Sequence, residues 1–152
     1  MWKDIDKKDD KRGEAMTGKV QIDIKGVRTI DGQREQVDET GTGEYYKRNG
    51  KHYVIGTSED GAIKRMKFTV DSMSVTGKGG GSMVFEAGKE TRTFYGTPAG
   101  YLELEFHTRE FCLREEDEFL EAKVRYALYQ DGMHVSDNCM VVTLQPQGPK
   151  AS

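Results

Sequence analysis

Apolar and polar residues alternate with a period of two along most of this sequence, and the alternation restricts the chain to β-structure. The clearest run spans residues 101–108. Successive side chains of a strand point to opposite faces of the sheet, so such a run predicts a strand with one buried face. The same alternation occurs at residues 20–24, 66–70, 120–128 and 140–144. No stretch combines a 3.6-residue period with helix caps, so the sequence predicts an all-β fold.

Four Asn-Gly or Asp-Gly dipeptides separate these runs. They are Asp31-Gly32, Asn49-Gly50, Asp60-Gly61 and Asp131-Gly132. Asn or Asp before Gly tolerates the positive φ of primed turns, so each dipeptide predicts a tight connection between neighbouring strands. A meander that closes into a barrel removes both exposed sheet edges. We therefore expect a single closed antiparallel meander barrel of about 8–10 strands.

The composition excludes several classes of protein. Hydrophobic residues make up 35% of the chain and charged residues 32%, and 23 basic against 26 acidic side chains give a formal net charge of −3. This balance gives no basic field for a nucleic-acid partner. No apolar run approaches the roughly 18 residues of a membrane span. Cys112 and Cys139 are too few for a disulfide framework or a metal quartet. The sequence predicts a cytoplasmic protein without nucleic acid, membrane or cofactor.

The alternation is confined to the middle of the chain and defines the domain organisation. Residues 1–16 carry charges of both signs without an apolar period, which predicts a flexible N-terminal tail. Residues 17–145 are predicted to form the barrel, and residues 146–152 a C-terminal tail. The chain of 152 residues is long enough for one domain with its own core.

Motifs that often carry chemistry are weak in this sequence. The glycine-rich segment 77–82 places Lys78 before the glycines and is followed by a strand-like run, so it predicts a hairpin loop or bulge and not a phosphate loop. The histidines, His52, His107 and His134, lack metal-ligand spacing, and we predict no metal site.

Acidic residues are concentrated at two places. Glu103 and Glu105 share a strand face, but that face is opposite the apolar one, which predicts solvated carboxylates. The acidic run at residues 115–118 predicts a solvated loop between strands. Neither group identifies a catalytic residue.

Three polar residues fall on the apolar faces of the predicted strands. They are Thr108, Tyr126 and Asn138. Buried hydroxyl and amide groups need hydrogen-bond partners, so the three residues predict either an internal polar network or the few polar groups of an apolar ligand site. In the second case they are the candidate ligand-binding residues, and the ligand is a small apolar or amphipathic molecule.

Short motifs in a fixed order also resemble a known family. They are Tyr95–Gly100, Leu102-x-Leu104-x-Phe106-x-Thr108, Val124–Tyr126 and Asn138-x-Met140-x-Val142. Together they resemble the YwiB family, a bacterial domain-of-unknown-function family with a calycin-like β-barrel. The resemblance covers residues 17–144 and implies a calycin or lipocalin-like barrel in the bacterial cytoplasm. It implies no reaction.

Three functions remain open at this point. The first is a non-enzymatic module that binds one small molecule inside the barrel. The second is an enzyme with a site at one barrel mouth. The third is a structural or interaction protein whose outer face, with Tyr101, Arg125 and Tyr129, contacts a partner. An internal cavity would favour the first two, and a filled interior would favour the third.

Overall fold

The alternating runs form ten antiparallel strands in the computed structural model, which describes residues 18–77 and 81–147. The strands are β1 (Gly18–Ile30), β2 (Gln33–Arg48), β3 (Lys51–Ser58), β4 (Ile63–Phe68), β5 (Ser72–Thr76), β6 (Ser82–Glu86), β7 (Glu90–Thr97), β8 (Gly100–Glu116), β9 (Phe119–Gln130) and β10 (Met133–Pro146). The predicted all-β class is confirmed. No helix in the described ranges is long and apolar enough to cross a membrane.

Three of the four predicted turns connect neighbouring strands through two residues. Asp31, Asn49 and Asp131 have φ angles of 50°, 53° and 49°, and the glycine after each also has positive φ. This is the conformation of a type I′ turn, which the Asn-Gly and Asp-Gly dipeptides predicted. Asp60 lies instead in a longer connection, where its Oδ1 accepts a hydrogen bond from Ala62 N at 3.0 Å.

Hydrogen bonds join the strands in the order β6-β5-β4-β3-β2-β1-β10-β9-β8-β7. The ladder between β1 and β10 therefore joins the two halves of the meander. The seam of the barrel lies between β6 and β7, where the described residues form no ladder. Across this seam the Thr91 hydroxyl donates to the carbonyl oxygen of Val84. The predicted barrel is confirmed, and its closure relies on packing along this seam.

The antiparallel order gives the barrel two different ends. At the packed end the interior is filled by fully buried apolar side chains, namely Val20, Val54, Phe68, Leu120, Leu144. At the other end, which we call the open end, β1 finishes and β2 begins. Four large apolar side chains there are exposed, namely Ile30, Ile63, Tyr101, Met133. The core therefore occupies one end of the barrel and leaves the other accessible.

The strand faces follow the predicted alternation at most positions. Phe106 and Thr108 are buried, and Leu104 packs against the core. The prediction extends too far at Val70, which lies beyond the end of β4 and is 79% exposed. Two irregularities shift the register, one in β8 between Thr108 and Glu110 and one in β10 between His134 and Ser136. Such bulges bend a strand and increase its twist.

Some sequence predictions fall on residues outside the described ranges. The predicted tail at residues 1–16, the glycines at residues 79–80 and residues 148–152 are among them. Within the described residues, the first strand, β1, begins at Gly18, and the last strand, β10, ends at Pro146. The backbone N–H of Gln147 then donates to the carbonyl oxygen of Lys19 at 3.0 Å.

Candidate functional site

A cavity of about 290 Å³ lies inside the barrel toward its open end. Its wall is mostly apolar and includes four of the seven methionines, Met66, Met73, Met83 and Met140. These methionines occupy inward positions of β4, β5, β6 and β10. The packed end, in contrast, is filled mainly by aromatic and branched side chains. Because thioether side chains are unbranched and polarisable, they adapt to guests of different shape.

The three candidate residues from the sequence lie in one row across the sheet. Tyr126 in β9 is opposite Thr108 in β8 on one side and opposite Asn138 in β10 on the other. Tyr126 and Asn138 line the cavity. Thr108 does not line it, and its buried Oγ1 has no hydrogen-bond partner among the described residues. The structure thus brings all three together, while their role in ligand binding stays a prediction.

Tyr126 forms the boundary between the cavity and the aromatic part of the core. Its ring centroid lies 4.6 Å from that of Phe85 and 5.8 Å from that of Phe106. Burial raises the pKa of the Tyr126 hydroxyl, and the positive charge of Arg28 opposes part of this shift. The hydroxyl therefore stays protonated at neutral pH and can donate a hydrogen bond into the cavity.

Charged residues on the cavity wall were missed from the sequence. Lys64 Nζ lies 3.0 Å from Glu39 Oε1 and 2.9 Å from Glu39 Oε2, and both side chains line the cavity together with Arg28. A signal for them was present, because Lys64 alternates in step with Met66 and Phe68. The apolar residues mark the inward face of the run, and the charged Lys64 at its start belongs to the same face.

A buried histidine network occupies the packed end. The Tyr45 hydroxyl lies 2.7 Å from His52 Nδ1, and Glu115 Oε1 lies 3.6 Å from His52 Nε2. Lys47 Nζ contacts Glu115 Oε2 at 2.8 Å. Because Nε2 faces a carboxylate, it carries the ring proton, and Nδ1 accepts from Tyr45. The order tyrosine, histidine, carboxylate is the one a nucleophile and its base would use.

The chemistry of this network argues against catalysis. Burial, followed by the charge of Glu115, raises the pKa of Tyr45 to about 12, the opposite of an activated nucleophile. The network also corrects a prediction, since Glu115 and Glu116 belong to β8 and only Asp117 and Glu118 form the turn. The acidic run is therefore partly structural, because Glu115 reaches across the barrel end to His52.

We expect the buried His52 to make the protein less stable as the pH falls from about 7 to 5. Burial lowers the pKa of His52 below its ordinary value, with Glu115 partly opposing the shift. The unfolded chain therefore binds this proton at a higher pH than the folded protein does. The free energy of unfolding then falls by at most about 1.4 kcal/mol per pH unit from this residue.

Urea unfolding at several pH values measures this slope. The His52→Gln variant should show a shallower loss of stability between pH 7 and 5 than the unsubstituted protein. His134→Gln serves as the control, since His134 is exposed and pairs with Asp137 at 3.1 Å. Equal slopes for all three proteins would contradict a neutral, buried His52.

An ionisable cluster on the outer face includes Glu90, Glu105 and His107, whose ligand atoms lie within 4.8 Å of one another. His107 Nδ1 faces Glu90 at 3.7 Å, whereas Nε2 faces Glu105 at 3.6 Å. The Arg92 guanidinium contacts Glu105 at 3.1 Å and, with His107, holds the pKa of that carboxyl below its usual range. Because the two carboxylates flank different ring nitrogens and one already binds Arg92, the geometry fits an ion-pair network better than one metal ion.

The other outer-face candidates do not form a single surface. Tyr129 stacks on His107 with ring centroids 4.3 Å apart. Arg125 pairs with Glu110 at 3.6 Å, and Tyr101 lies separately near the open end. Glu103 and Glu105 both contact Arg92 on this outer face, in agreement with the strand face predicted for them.

Comparisons with known proteins agree with this architecture. Residues 22–142 match the sequence profile of a domain of unknown function, DUF1934. The crystal structure of the ywiB protein from Bacillus subtilis superposes with a TM-score of 0.74 at 21% sequence identity, covering 86% of this chain and 93% of that one. At this identity the similarity shows a shared fold. A search among curated proteins finds no match.

Proposed function

Since the chain belongs to the DUF1934 family of unknown function, we propose a function from the interior of its own barrel. The protein is a non-enzymatic binding module that holds one small, mostly apolar molecule in the cavity at its open end. The observation that carries this proposal is the cavity of about 290 Å³ beside Tyr126 and Asn138.

The size and lining of the cavity support a small guest. Ligand sites occupy roughly 300–1,000 Å³, so this cavity is near the lower limit. An apolar guest gains about 25 cal/mol for each Å² of its surface that leaves water. Tyr126 and Asn138 add a hydroxyl and an amide to the wall, the kind of polar group that orients a ligand in an otherwise apolar site.

The groups that face the cavity favour binding over catalysis. Lys64 and Glu39 neutralise each other across 2.9 Å, so neither is free to act as an acid or base. Burial raises the pKa of Tyr126, so its hydroxyl stays protonated at neutral pH and is not available as a general base. Thr108 is buried and does not line the cavity. An enzyme at this mouth would lack an activated nucleophile and a general base among these residues.

The proposal predicts saturable binding of the neutral fluorescent probe N-phenylnaphthylamine. We expect a dissociation constant in the micromolar range and a melting temperature that rises with probe concentration. Tyr126→Ala should weaken binding about tenfold, because the aromatic wall of the site is lost. Tyr101→Ala, a change of the same type at a side chain outside the cavity, should leave the affinity unchanged.

A second variant separates cavity binding from surface binding. Val75→Trp places a large side chain in the cavity wall and should abolish probe binding while the circular dichroism spectrum stays that of a β-barrel. Binding that survives Val75→Trp, or that fails to saturate in the unsubstituted protein, would contradict the proposal.

We also propose that the protein works in the cytoplasm. Cys112 and Cys139 are both unpaired and exposed, a state that a reducing compartment maintains. Fractionation of cells that express the tagged protein tests this location, and recovery from an oxidising compartment would contradict it.

A further inference from the structure

The charges on the cavity wall do not cancel. Arg28, Lys64 and Glu39 all line the cavity. Lys64 and Glu39 form a close pair within the wall, at 2.9 Å. The ion-pair partner of Arg28 is Glu35, at 3.6 Å, and Glu35 is not part of the lining. The described lining therefore presents one cation without an anion of its own.

Arg28 continues the row of polar residues across the sheet. It is opposite Asn138 in the ladder between β1 and β10, and Asn138 is opposite Tyr126 in the next ladder. Burial raises the pKa of the Tyr126 hydroxyl, and the positive charge of Arg28 opposes part of this rise. A guanidinium, an amide and a phenol thus stand side by side on the cavity wall. Each of these three groups can donate to an oxyanion.

Glu35 competes weakly for this guanidinium. The Arg28 and Glu35 side chains are 42% and 61% exposed, and ion pairs between exposed side chains contribute little to stability. A guanidinium also has five N–H donors and binds a carboxylate through two of them at once. A ligand anion that is partly shielded from water can therefore replace or share the contact with Glu35.

On the basis of the proposed function, we propose that the ligand of this cavity is an amphipathic anion. Its apolar body lies among the methionines of the cavity, and its carboxylate or sulfonate-like head binds Arg28 beside Asn138 and Tyr126. Lys64 is less suited to this role, because its ammonium group already contacts both carboxylate oxygens of Glu39, at 3.0 and 2.9 Å. Arg28, whose carboxylate partner lies outside the lining, sets the charge of the ligand.

Two probes with the same aromatic body test the proposal. N-phenylnaphthylamine is neutral, and anilinonaphthalene sulfonate carries one sulfonate on the same rings. We expect the unsubstituted protein to bind the sulfonate at least about tenfold more tightly. Arg28→Gln should reduce the affinity for the sulfonate about tenfold and leave the affinity for the neutral probe within about twofold.

Arg125→Gln is a matched control. Arg125 is also a solvent-accessible arginine in a strand, and its carboxylate partner Glu110 also lies at 3.6 Å. Arg125 lines a neighbouring recess that shares Tyr126 and Asn138 with the cavity, but it does not line the cavity itself, so the variant tests on which side the anion binds. This variant should bind both probes as the unsubstituted protein does. Loss of sulfonate binding in Arg125→Gln with full binding in Arg28→Gln would place the anion on the outer face and overturn the proposal.

The neutral probe separates the two hypotheses. Equal affinity for both probes, unaffected by Arg28→Gln, would overturn the anionic ligand and leave the proposed binding function intact. Failure of the neutral probe to bind would instead contradict the proposed function itself. Tight sulfonate binding that depends on Arg28, with weaker neutral binding in the same cavity, would support both.

Discussion

Replacing Phe85 by alanine is expected to lower the free energy of unfolding by about 3–5 kcal/mol. Phe85 is 2% exposed, and its ring lies 5.1 Å from that of Phe106 and 4.6 Å from that of Tyr126. The substitution removes one member of this three-ring cluster. Because Phe85 also lines the cavity, the space left by its ring would be continuous with the cavity, and the neighbouring side chains would not fill it.

Phe94→Ala is the matched control for this substitution. Phe94 lies on the outer face of β7 and is 60% exposed, so its truncation should change stability by at most about 0.5 kcal/mol. Urea unfolding gives both values, provided that the dependence on urea concentration is the same for all three proteins. Similar losses for the two variants would mean that Phe85 does not belong to the interior cluster.

The Phe85 substitution also bears on the cavity. Phe85, like Tyr126, belongs to the aromatic wall of the site, so the neutral probe should raise the melting temperature of Phe85→Ala by less than it raises that of the unsubstituted protein. Phe94→Ala should show the same probe-induced rise as the unsubstituted protein, because Phe94 does not line the cavity. This comparison links the stability of the core to the space available for a ligand.

Features set by neighbouring residues could be predicted from the sequence. The turns at Asp31, Asn49 and Asp131 depend on the φ preferences of two adjacent residues, and all three have positive φ in the structure. The burial of Phe106 and Thr108 depends on the period of one strand. Such features need no knowledge of which strands lie side by side.

Features that depend on distant parts of the chain could not be predicted. Glu115 approaches His52 only because β8 and β3 meet at the packed end of the closed barrel. Thr108 lies on the same strand face as Tyr126, but the Thr108 hydroxyl is not part of the cavity lining. The bulge after Thr108 shifts the pairing of β8 with β9, and no residue in the alternation marks it.

The sequence predicts the cavity only as one of two outcomes. Inward side chains of mixed size can fill a barrel or leave space in it. Which of the two occurs depends on the interior volume of the barrel, and this volume is set by the taper and the tilt of the strands. The alternation that placed Met66 inward also places Lys64 inward, so the sequence contained the positions of the charged wall. The pairing of Lys64 in β4 with Glu39 in β2 could be seen only in the three-dimensional structure.

Gly43→Ala is expected to lower the free energy of unfolding by about 3 kcal/mol, at the upper end of ordinary overpacking. A Cβ atom at Gly43 would lie 2.6 Å from the Ile55 carbonyl oxygen and 2.9 Å from the Gly56 Cα. Both are backbone atoms of β3, so a rotamer change cannot relieve the contact. The strands β2 and β3 would have to move apart where Gly43 and Gly56 are paired.

Gly77→Ala is the control for this substitution, because a Cβ atom there has no neighbour within 4 Å among the described residues. The free energy of unfolding of Gly77→Ala should stay within about 0.5 kcal/mol of that of the unsubstituted protein or rise slightly, since alanine restricts the conformational freedom of the unfolded chain. Gly56 also pairs with Lys64 in β4, so separation of β2 from β3 would displace the Lys64–Glu39 pair on the cavity wall. Gly43→Ala should therefore weaken probe binding as well as lower the melting temperature, and Gly77→Ala should change neither. Full stability and full probe affinity in Gly43→Ala would mean that β2 and β3 do not approach so closely at this wall.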